Sequence, residues 1–381
     1  MQDVAIIGGG PVGLSAALAA TAQGLSVLVL EARPEARGSD PRVFALSYGA
    51  RLILERLGAW GHIATAHPIR AVHVSQRGCF GHTVLTAEEL GVDALGYVAS
   101  YADLVQALRK RILEAGVQVV SDARVVSLDS QPSFVGVHYE RADAAHAACA
   151  QVVAQADGGA NLFAATPSTE RDYGQCALVA EVHCERAGSD CAYERFTGQG
   201  PIALLPLSAR HALIWTVPQA QAQGLLALEA RSFEQELMRA YGERIGEIRL
   251  FGGRASFKLV LRYAHRVASD RHVLIGNAAQ TLHPVAGQGF NIGLRDAFDL
   301  AQALTDCSRQ GQDLVAGLHR YRSRRRLDRA GGTVFTDFLV RAFSNDDPLL
   351  ALGRSLGLFL LDASGPAKRF LMRRMIFGNP A

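Results

Sequence analysis

The chain opens with two short apolar runs separated by a helical segment. Residues 4–7 form a continuous apolar run, as expected for a central parallel strand that is buried on both faces. Residues 14–23 are rich in Ala and Leu and predict a helix that ends at Gly24, and a second apolar strand follows at residues 26–30. This order predicts a βαβ unit whose right-handed crossover places the two strands side by side.

Periodicity predicts further elements along the chain. The apolar positions between Arg42 and Trp60 have helical spacing up to Gly58, and residues 103–115 predict a helix that ends at Gly116. Extended segments are predicted at residues 69–76, 83–85, 117–120, 125–128, 134–139 and 151–156.

The block between Cys176 and Leu261 has a different pattern. Strand-like runs at residues 177–182, 202–205 and 213–217 dominate it, with one helix near residues 232–241. Helical sequence returns after Gly276 and continues to the end. This alternation predicts that a separate, sheet-rich block is inserted into the α/β part of the chain.

A glycine-rich turn joins the first strand to the first helix. Residues 8–13 read Gly-Gly-Gly-Pro-Val-Gly and satisfy the G-x-G-x-x-G pattern. In that pattern Gly8 permits the tight turn, Gly10 lets the backbone approach a pyrophosphate, and Gly13 allows close packing of helix on strand. The exposed N–H groups and the dipole of the helix N-terminus attract the phosphates.

An acidic residue completes this pattern at the end of the second strand. Glu31 lies there, where a carboxylate can accept hydrogen bonds from ribose hydroxyls and repels a 2′-phosphate. The sequence therefore predicts a Rossmann-like domain that binds FAD or NAD and does not hold NADP as a resident cofactor. A glycine-rich turn without a ligand is the alternative.

A second loop, at residues 273–291, has the composition of a cofactor site. An apolar strand runs into a polar loop that contains His283 and Pro284, and Gly287 and Gly289 precede a helix with an apolar face. Glycine there allows the backbone to lie against a flat ring, and the helix N-terminus can hold negative charge on a reduced flavin. A plain strand-to-helix loop is the alternative.

Composition and charge narrow the class of protein. The 381 residues are 49% hydrophobic and 20% charged, which is typical of a globular chain of two domains. The net charge of +3 is spread along the sequence and predicts no nucleic-acid partner. Arginines are concentrated only at residues 322–329 and again, with one lysine, at 368–374. These arginines are typical either of solvated helix faces or of a contact with a membrane surface, and both interpretations stay open.

The spacing of the cysteines argues against a metal-binding protein, and the composition of the long uncharged segment argues against a membrane-spanning one. The six cysteines are scattered without a C-x-x-C pair, which indicates reduced cytosolic thiols and predicts no metal site. Residues 4–30 carry no charge and are long enough to span a bilayer, but they contain the glycine turn and are preceded by Asp3. We therefore predict no transmembrane helix.

Several motifs together carry a family resemblance that covers essentially the whole chain. The glycine turn, Arg42, Asp157-Gly158, Gly276-Asn277 and the Pro284 to Gly289 loop resemble the para-hydroxybenzoate hydroxylase fold of single-component flavin monooxygenases. Within that fold, "GNAAQTLHPVAGQGFNIGLRD", "VHVSQRG" and "ERFTGQGPIALLPL" resemble the ubiquinone-biosynthesis hydroxylases, in particular the UbiH type, which acts on 2-polyprenyl-6-methoxyphenol.

The resemblance implies roles for individual residues. Arg42 would contact the flavin nucleotide, Asp157 would lie near the pyrophosphate and the NADPH path, and Asn277 would contact the ribityl or phosphate region. The wider fold has Gly-Asp where this chain has Gly276-Asn277, and the arginine that often follows Asp-Gly is absent from residues 159–166. The candidate catalytic residues are Pro284, Gly287, Gln288 and His283. The candidate cofactor-binding residues are Gly8, Gly10, Pro11, Gly13, Glu31, Ala32, Arg42, Gln106, Asp157, Gly276, Asn277, Pro284, Gly287, Gly289, Phe290 and Asn291.

The fold class that follows is α/β: a Rossmann-like FAD-binding domain, an inserted sheet-rich substrate domain and C-terminal helices. We predict a discontinuous FAD-binding domain at 1–70, 97–175 and 266–330, a substrate domain at 71–96 and 176–265, and a C-terminal helical region at 331–381.

The function implied is aromatic-ring hydroxylation. NADPH or NADH would reduce FAD, the reduced flavin would react with O2, and one oxygen atom would enter a polyprenyl methoxyphenol. The expected location is cytoplasmic, with a peripheral contact at the inner face of a bacterial membrane and a complex with other pathway proteins as further expectations. Three alternatives stay open: another positional hydroxylase of the same pathway, a flavin dehydrogenase or oxidase that inserts no oxygen, and a non-catalytic subunit.

Overall fold

The computed structural model of the chain describes residues 1–34, 40–159, 167–281, 287–343 and 348–378, with the side chains of 330 and 333–351 left aside. The strands are β1 (Gln2–Ile7), β2 (Val27–Glu31), β3 (Val43–Ser47), β4 (His67–Ile69), β5 (Ala71–Gln76), β6 (His82–Thr86), β7 (Gly96–Ser100), β8 (Gln118–Ser121), β9 (Arg124–Ser130), β10 (Val135–Arg141), β11 (Ala144–Gln155), β12 (Ser168–Cys184), β13 (Cys191–Thr197), β14 (Gly200–Leu207), β15 (Arg210–Pro218), β16 (Ile248–Ala264), β17 (Ala268–Ser269), β18 (His272–Leu274) and β19 (Gln280–Thr281). The helices are α1 (Pro11–Thr21), α2 (Tyr48–Arg56), α3 (Tyr101–Glu114), α4 (Gln219–Ala227), α5 (Ala230–Tyr241), α6 (Gln288–Arg309), α7 (Leu314–Phe343), α8 (Pro348–Ala363) and α9 (Gly365–Phe377).

The first sheet carries the predicted βαβ unit. Its order is β17-β18-β11-β1-β2-β8, and β10 and β9 extend it from β11. Strand β1 is parallel to β2 and β11, and β11 is parallel to β18, so the chain returns to this sheet after the middle block. The carboxyl ends of β1, β2, β11 and β18 therefore lie at one edge, which is where α/β sheets bind ligands. The predicted βαβ unit is confirmed.

The second sheet has eight strands in the order β19-β16-β12-β15-β14-β13-β5-β6. Side chains alternate between its two faces. One face buries Leu178, Leu213 and Trp215 against Phe233 and Leu237 of α5. The opposite face is lined by small and apolar side chains and borders the cavity described below. The prediction of an α/β fold with an additional sheet-rich block is confirmed.

Several elements differ from the sequence-based predictions. Residues 43–47 form strand β3, which pairs with β7, and the helix predicted from Arg42 starts only at Tyr48, where Ser47 caps it by accepting a hydrogen bond from the Ala50 N–H. Strands β12 and β16 are each 17 residues long because they pair with each other over almost their whole length. Helix α4 was not predicted.

The first residue of β12 can be compared with a predicted domain boundary. Strand β12 begins at Ser168, before the predicted boundary at residue 176, and it belongs wholly to the second sheet. The domain boundaries themselves stay a prediction. Helices α8 and α9 occupy the predicted C-terminal helical region. Within the described ranges, no helix combines the length and the hydropathy that a membrane crossing requires.

Candidate active site

The turn between β1 and α1 has the geometry that its glycines predict. Gly8 has φ of +108°, and a Cβ atom there would lie 2.5 Å from the Ala156 carbonyl oxygen. A Cβ atom on Gly13 would overlap the Gly8 carbonyl oxygen. By contrast, a Cβ atom on Gly10 would meet nothing within 4 Å, and Gly10 lines the cavity. The first and last glycines thus shape the turn, while the middle one leaves space for a ligand.

Glu31 is oriented by the backbone around it. Its carboxylate accepts hydrogen bonds from the Gly9 N–H at 2.5 Å and from the Arg33 N–H at 3.0 Å. The residue is 7% exposed, and it borders the cavity at the end of β2. A carboxylate fixed in this way is available on its cavity side to accept hydrogen bonds from sugar hydroxyls.

The start of α6 faces the start of α1 across a shared contact. The Val12 side chain packs between Gly276 and Gly293, so that a Cβ atom on these glycines would lie 3.0 and 2.7 Å from Val12 methyl carbons. The Gly276 N–H donates to Asp296 Oδ2 at 3.1 Å. Two segments more than 260 residues apart in sequence are therefore held together at the edge of the first sheet.

Asn291 braces the loop that enters α6. Its Nδ2 donates to the carbonyl oxygens of Ala45 and Gly287, both at 2.9 Å, and its Oδ1 accepts from the Ser47 N–H at 2.9 Å. The residue is 2% exposed. Its side-chain amide is thus committed to the backbone, and its part in the site is to hold β3 against Gly287.

One cavity joins these features. It has a volume of about 1530 Å³ and runs from the β1–α1 turn and Glu31, past Asp157 and Asn277, to the α6 N-terminus. A site for one drug-sized ligand occupies roughly 300–1,000 Å³, so this space is large enough for a dinucleotide and a second molecule.

The polar groups at this cavity fit FAD. Gly10 and Gly287 are the N-cap residues of α1 and α6. Because glycine has no side chain, neither residue can cap its helix with a side-chain hydrogen bond. Neither helix has an acidic residue in its first turn. Helix N-termini leave N–H groups that need acceptors, and two such ends opening into one cavity suit a ligand with a pyrophosphate and an electron-rich ring.

Most of the predicted site residues line this cavity. They are Gly8, Gly10, Pro11, Glu31, Ala32, Arg42, Asp157, Asn277, Gly287, Gln288, Gly289, Phe290 and Asn291. Gly13 and Gly276 instead lie beneath it as packing residues. Gln106 is exposed on α3 and is not among the described residues that line the cavity, because the buried face of α3 presents Val105, Ala107 and Leu108. His283 and Pro284 lie outside the described residues.

Two residues that support the site were missed. Arg262 on β16 donates to the carbonyl oxygens of Gly159 and Asn277, at 2.5 and 2.8 Å, and so connects the turn after β11 to the turn after β18. Phe44 on β3 stacks on Phe290 with ring centroids 4.8 Å apart. Neither residue belongs to a motif, and both depend on strands that are distant in sequence.

The arginines at residues 322–329 are not all surface residues. Arg325 is 3% exposed and pairs with Asp296 at 2.8 Å and with Asp328 at 2.6 Å. Arg329 is 4% exposed and donates to Gln280 and to the carbonyl oxygens of Ala264 and Ala279. The interpretation as a solvated helix face is therefore wrong for Arg325 and Arg329, whose buried side chains contact Asp296 and Gln280. For the exposed arginines of this run, a solvated face and a membrane-surface contact both stay predictions.

The far part of the cavity lies between the second sheet and the C-terminal helices. Its sheet wall is Val72, Val74, Ala177, Val179, Ala192, Glu194, Phe196, Ala203, Leu205, Ala212 and Ile214, and its helix wall includes Arg354, Leu358, Leu361, Met372, Met375 and Ile376. This part is mostly apolar.

Two charged residues lie in this apolar part of the cavity. Arg354 is 8% exposed, and its Nε donates to Gln76 at 3.2 Å. Burial raises the pKa of the Glu194 carboxyl to about 7.

Comparison with known proteins places the chain in a family. The family described as "FAD binding domain" matches residues 1–334. Ubiquinone hydroxylase UbiL of Rhodospirillum rubrum is 37% identical over 388 residues, which cover 98% of this chain and 89% of the relative. The chain belongs to the FAD-dependent ubiquinone-biosynthesis hydroxylases. The 3-demethoxyubiquinol 3-hydroxylase of Escherichia coli is 30% identical over 382 residues, 96% of each chain.

Solved structures agree on the fold. HpxO of Klebsiella pneumoniae, in complex with FAD and uric acid, superposes with a TM-score of 0.78 at 19% identity, covering 99% of this chain and 97% of that one. The predictions of the hydroxylase family, of its fold, of FAD as cofactor and of a flavin-dependent monooxygenase are confirmed.

Proposed function

We propose that this protein hydroxylates the ring of a polyprenyl phenol or methoxyphenol in ubiquinone biosynthesis, with FAD as cofactor, NADPH or NADH as reductant and O2 as oxygen source. The observation that carries the proposal is the continuous cavity, which joins the dinucleotide site to an apolar chamber against the second sheet. Relatives named as ubiquinone hydroxylases support the substrate class.

The chain's own residues would position and shield the reactants. Bound FAD supplies the redox chemistry and the activation of O2. The uncapped N-termini of α1 and α6 bind the pyrophosphate and favour negative charge on the reduced ring. Apolar side chains of the chamber, such as Val179 and Leu205, exclude water that would divert activated oxygen.

The decisive experiment follows the oxygen atom. Purified protein is assayed for its flavin spectrum and for NADPH and NADH oxidation with and without a prenylated methoxyphenol, under ¹⁸O2. We expect a yellow protein, oxidation stimulated by the phenol, and one ¹⁸O atom in the product ring. Stimulated oxidation without label would instead establish a dehydrogenase or oxidase, and bound FAD without stimulation would establish a non-catalytic subunit. The ring carbon that carries the label would identify which positional hydroxylase of the pathway the protein is.

We also propose that α8 and α9 contact a membrane surface from which the substrate tail enters. Helix α8 exposes Leu352, Leu356, Phe359 and Leu360 at helical spacing, and α9 exposes Phe370 and Phe377 beside Arg369, Arg373 and Arg374. The inner sides of the same helices line the apolar chamber. An apolar face with flanking cations suits an anionic lipid surface.

Replacing two of these residues tests the contact. The double substitution Leu356→Asp with Phe359→Asp is expected to weaken binding to anionic phospholipid vesicles about tenfold or more, since burying each such side chain contributes about 1.5 to 3 kcal/mol. Vesicle co-sedimentation measures the loss. Leu113→Asp is the matched control, because Leu113 is 77% exposed on α3. Unchanged sedimentation of the double variant would leave this face to a protein partner and contradict the membrane contact.

A further inference from the structure

Glu194 stands out in the apolar chamber because its carboxyl group has no hydrogen-bond or ion-pair partner in the part of the chain that the structure describes. It lies on β13 between Ala192 and Phe196, and all three side chains line the cavity. Its neighbours across the sheet are Ala203 on β14 and Val74 on β5, which also line the cavity. Among the described residues, none donates a hydrogen bond to this carboxyl group.

Two other carboxylates of the same sheet, those of Glu181 and Asp172, are paired. Glu181 accepts a hydrogen bond from Arg210 at 2.7 Å, and Asp172 pairs with Lys258 at 2.8 Å. Buried polar groups are normally hydrogen-bonded, so an unpaired carboxyl in a ligand cavity points to a polar group of the ligand.

Burial alone accounts for the raised pKa of Glu194. Among the described residues, the other charged groups at the cavity wall are Glu31, Arg33, Arg42, Arg124, Asp157, Lys258 and Arg354, and none of them contributes to this shift. Glu194 therefore changes between the acid and the carboxylate near neutral pH, which is the range in which a proton acceptor is useful.

We propose that the Glu194 carboxylate accepts a hydrogen bond from the phenolic hydroxyl of the substrate and takes its proton when the ring is hydroxylated. A prenylated phenol has an apolar body that matches the chamber and one donor that matches this carboxylate. This inference rests on the proposed function. It assigns Glu194 as a substrate-binding and catalytic residue that distinguishes a phenol from an ether or a quinone, which have no O–H group.

In the proposed step one proton moves from the phenol to Glu194 and later returns to the same ring oxygen. The phenolic O–H bond breaks, the proton passes to a Glu194 oxygen, and the electron pair left on the ring oxygen is delocalised to the carbon that forms the new C–O bond. When the ring regains aromaticity, that carbon loses its hydrogen as a proton and Glu194 returns its own proton to the first ring oxygen. One atom of O2 enters the ring as the O–O bond breaks, and the other atom leaves as water. The two electrons come from the nicotinamide, as in the proposed reaction.

Binding selectivity tests the hydrogen bond without turnover. For the FAD-bound enzyme at pH 8, we expect the phenol to bind about 10- to 100-fold more tightly than its O-methyl ether, the range given by a hydrogen bond to a charged group. In Glu194→Leu this ratio is expected to fall to about 1. Glu247→Gln is the control, because its side chain is 69% exposed beside β16. A Glu194→Leu variant that keeps the preference for the phenol would overturn the assignment.

The isosteric variant tests the proton transfer. Wild-type kcat for ring hydroxylation is expected to rise as pH increases through about 7, where Glu194 becomes ionised. In Glu194→Gln we expect kcat to fall at least about tenfold and to lose this rise. A retained rate and pH profile would overturn the role. Both variants are expected to keep the flavin spectrum, which shows that they fold and bind FAD, whereas failure of the proposed function itself would appear in the wild type as missing flavin or missing ¹⁸O.

Stability gives a readout that needs no activity. The pKa of Glu194 is higher in the folded chain than in the unfolded one, so the stability contributed by its protonated form is lost as pH rises through about 7. The Tm of Glu194→Gln minus that of the wild type is therefore expected to be larger at pH 8 than at pH 5.5. A difference that does not change with pH would contradict the buried position of this carboxyl.

Discussion

Gly10→Val is expected to yield a folded protein that purifies without FAD. Apart from its chain neighbours, no described residue has an atom within 4 Å of the new Cβ, and the side chain would extend into the cavity at the N-terminus of α1. Because the backbone at Gly10 is in the extended region, valine fits it, and we expect the free energy of unfolding of the FAD-free form to change by no more than about 1 kcal/mol. We expect FAD affinity, measured by titration of the FAD-free protein, to fall at least about 100-fold, since the added methyl groups occupy the space of the phosphates.

A matched glycine separates this effect from general damage. A Cβ atom added to Gly61 likewise has no neighbour within 4 Å among the described residues, and Gly61 is exposed between α2 and β4. Gly61→Val is expected to retain FAD. Both variants must be compared in the FAD-free form, because bound FAD stabilises the wild type by mass action. A Gly10→Val protein with wild-type FAD affinity would mean that the phosphates do not lie at this turn.

Asp296→Ala is expected to cost about 3 to 5 kcal/mol of stability, the usual range for removing one partner of a buried ion pair. Asp296 is fully buried and accepts hydrogen bonds from the Gly276 N–H at 3.1 Å, Gln280 Nε2 at 2.8 Å and Arg325 Nε at 2.8 Å. Its removal frees the loop before α6 as well as the arginine. Urea unfolding followed by circular dichroism measures the loss, and FAD titration is expected to show weaker binding.

An exposed carboxylate on the same helix provides the comparison. Asp306 pairs with Arg324 at 3.2 Å with both side chains partly exposed, so Asp306→Ala is expected to cost less than about 1 kcal/mol. Equal effects of the two substitutions would contradict a special role for Asp296. A larger loss for Asp296→Ala would show that Arg325, its partner in the arginine-rich segment, stabilises the site from inside the fold.

The sequence was informative where the site is built from residues that are close in the chain. The Gly8 to Gly13 turn and Glu31 belong to one βαβ unit, in which the strand order and the crossover hand fix their relative positions. The α6 loop was recognised by composition and by family resemblance. Its contact with α1 through Val12 follows from parallel strands whose ends meet at one edge.

Other parts of the site depend on contacts that no local pattern encodes. Arg262 reaches two turns from the second sheet, and Arg325 and Arg329 appear in sequence as members of a surface charge run. Their burial is set by how α7 packs on α6 and the loop before it. Glu194 is followed by Arg195 in the short strand β13, and only the structure shows that the Glu194 face of this strand borders the cavity.

A crystal structure of the FAD complex tests the central claim most directly. The account predicts one FAD per chain, with its pyrophosphate at Gly10 and the N-terminus of α1, its ribose at Glu31 and its ring against Gly287, Gly289 and the N-terminus of α6. FAD density that contacts the N-terminus of only one of these two helices, and makes no contact with the other, would contradict the account.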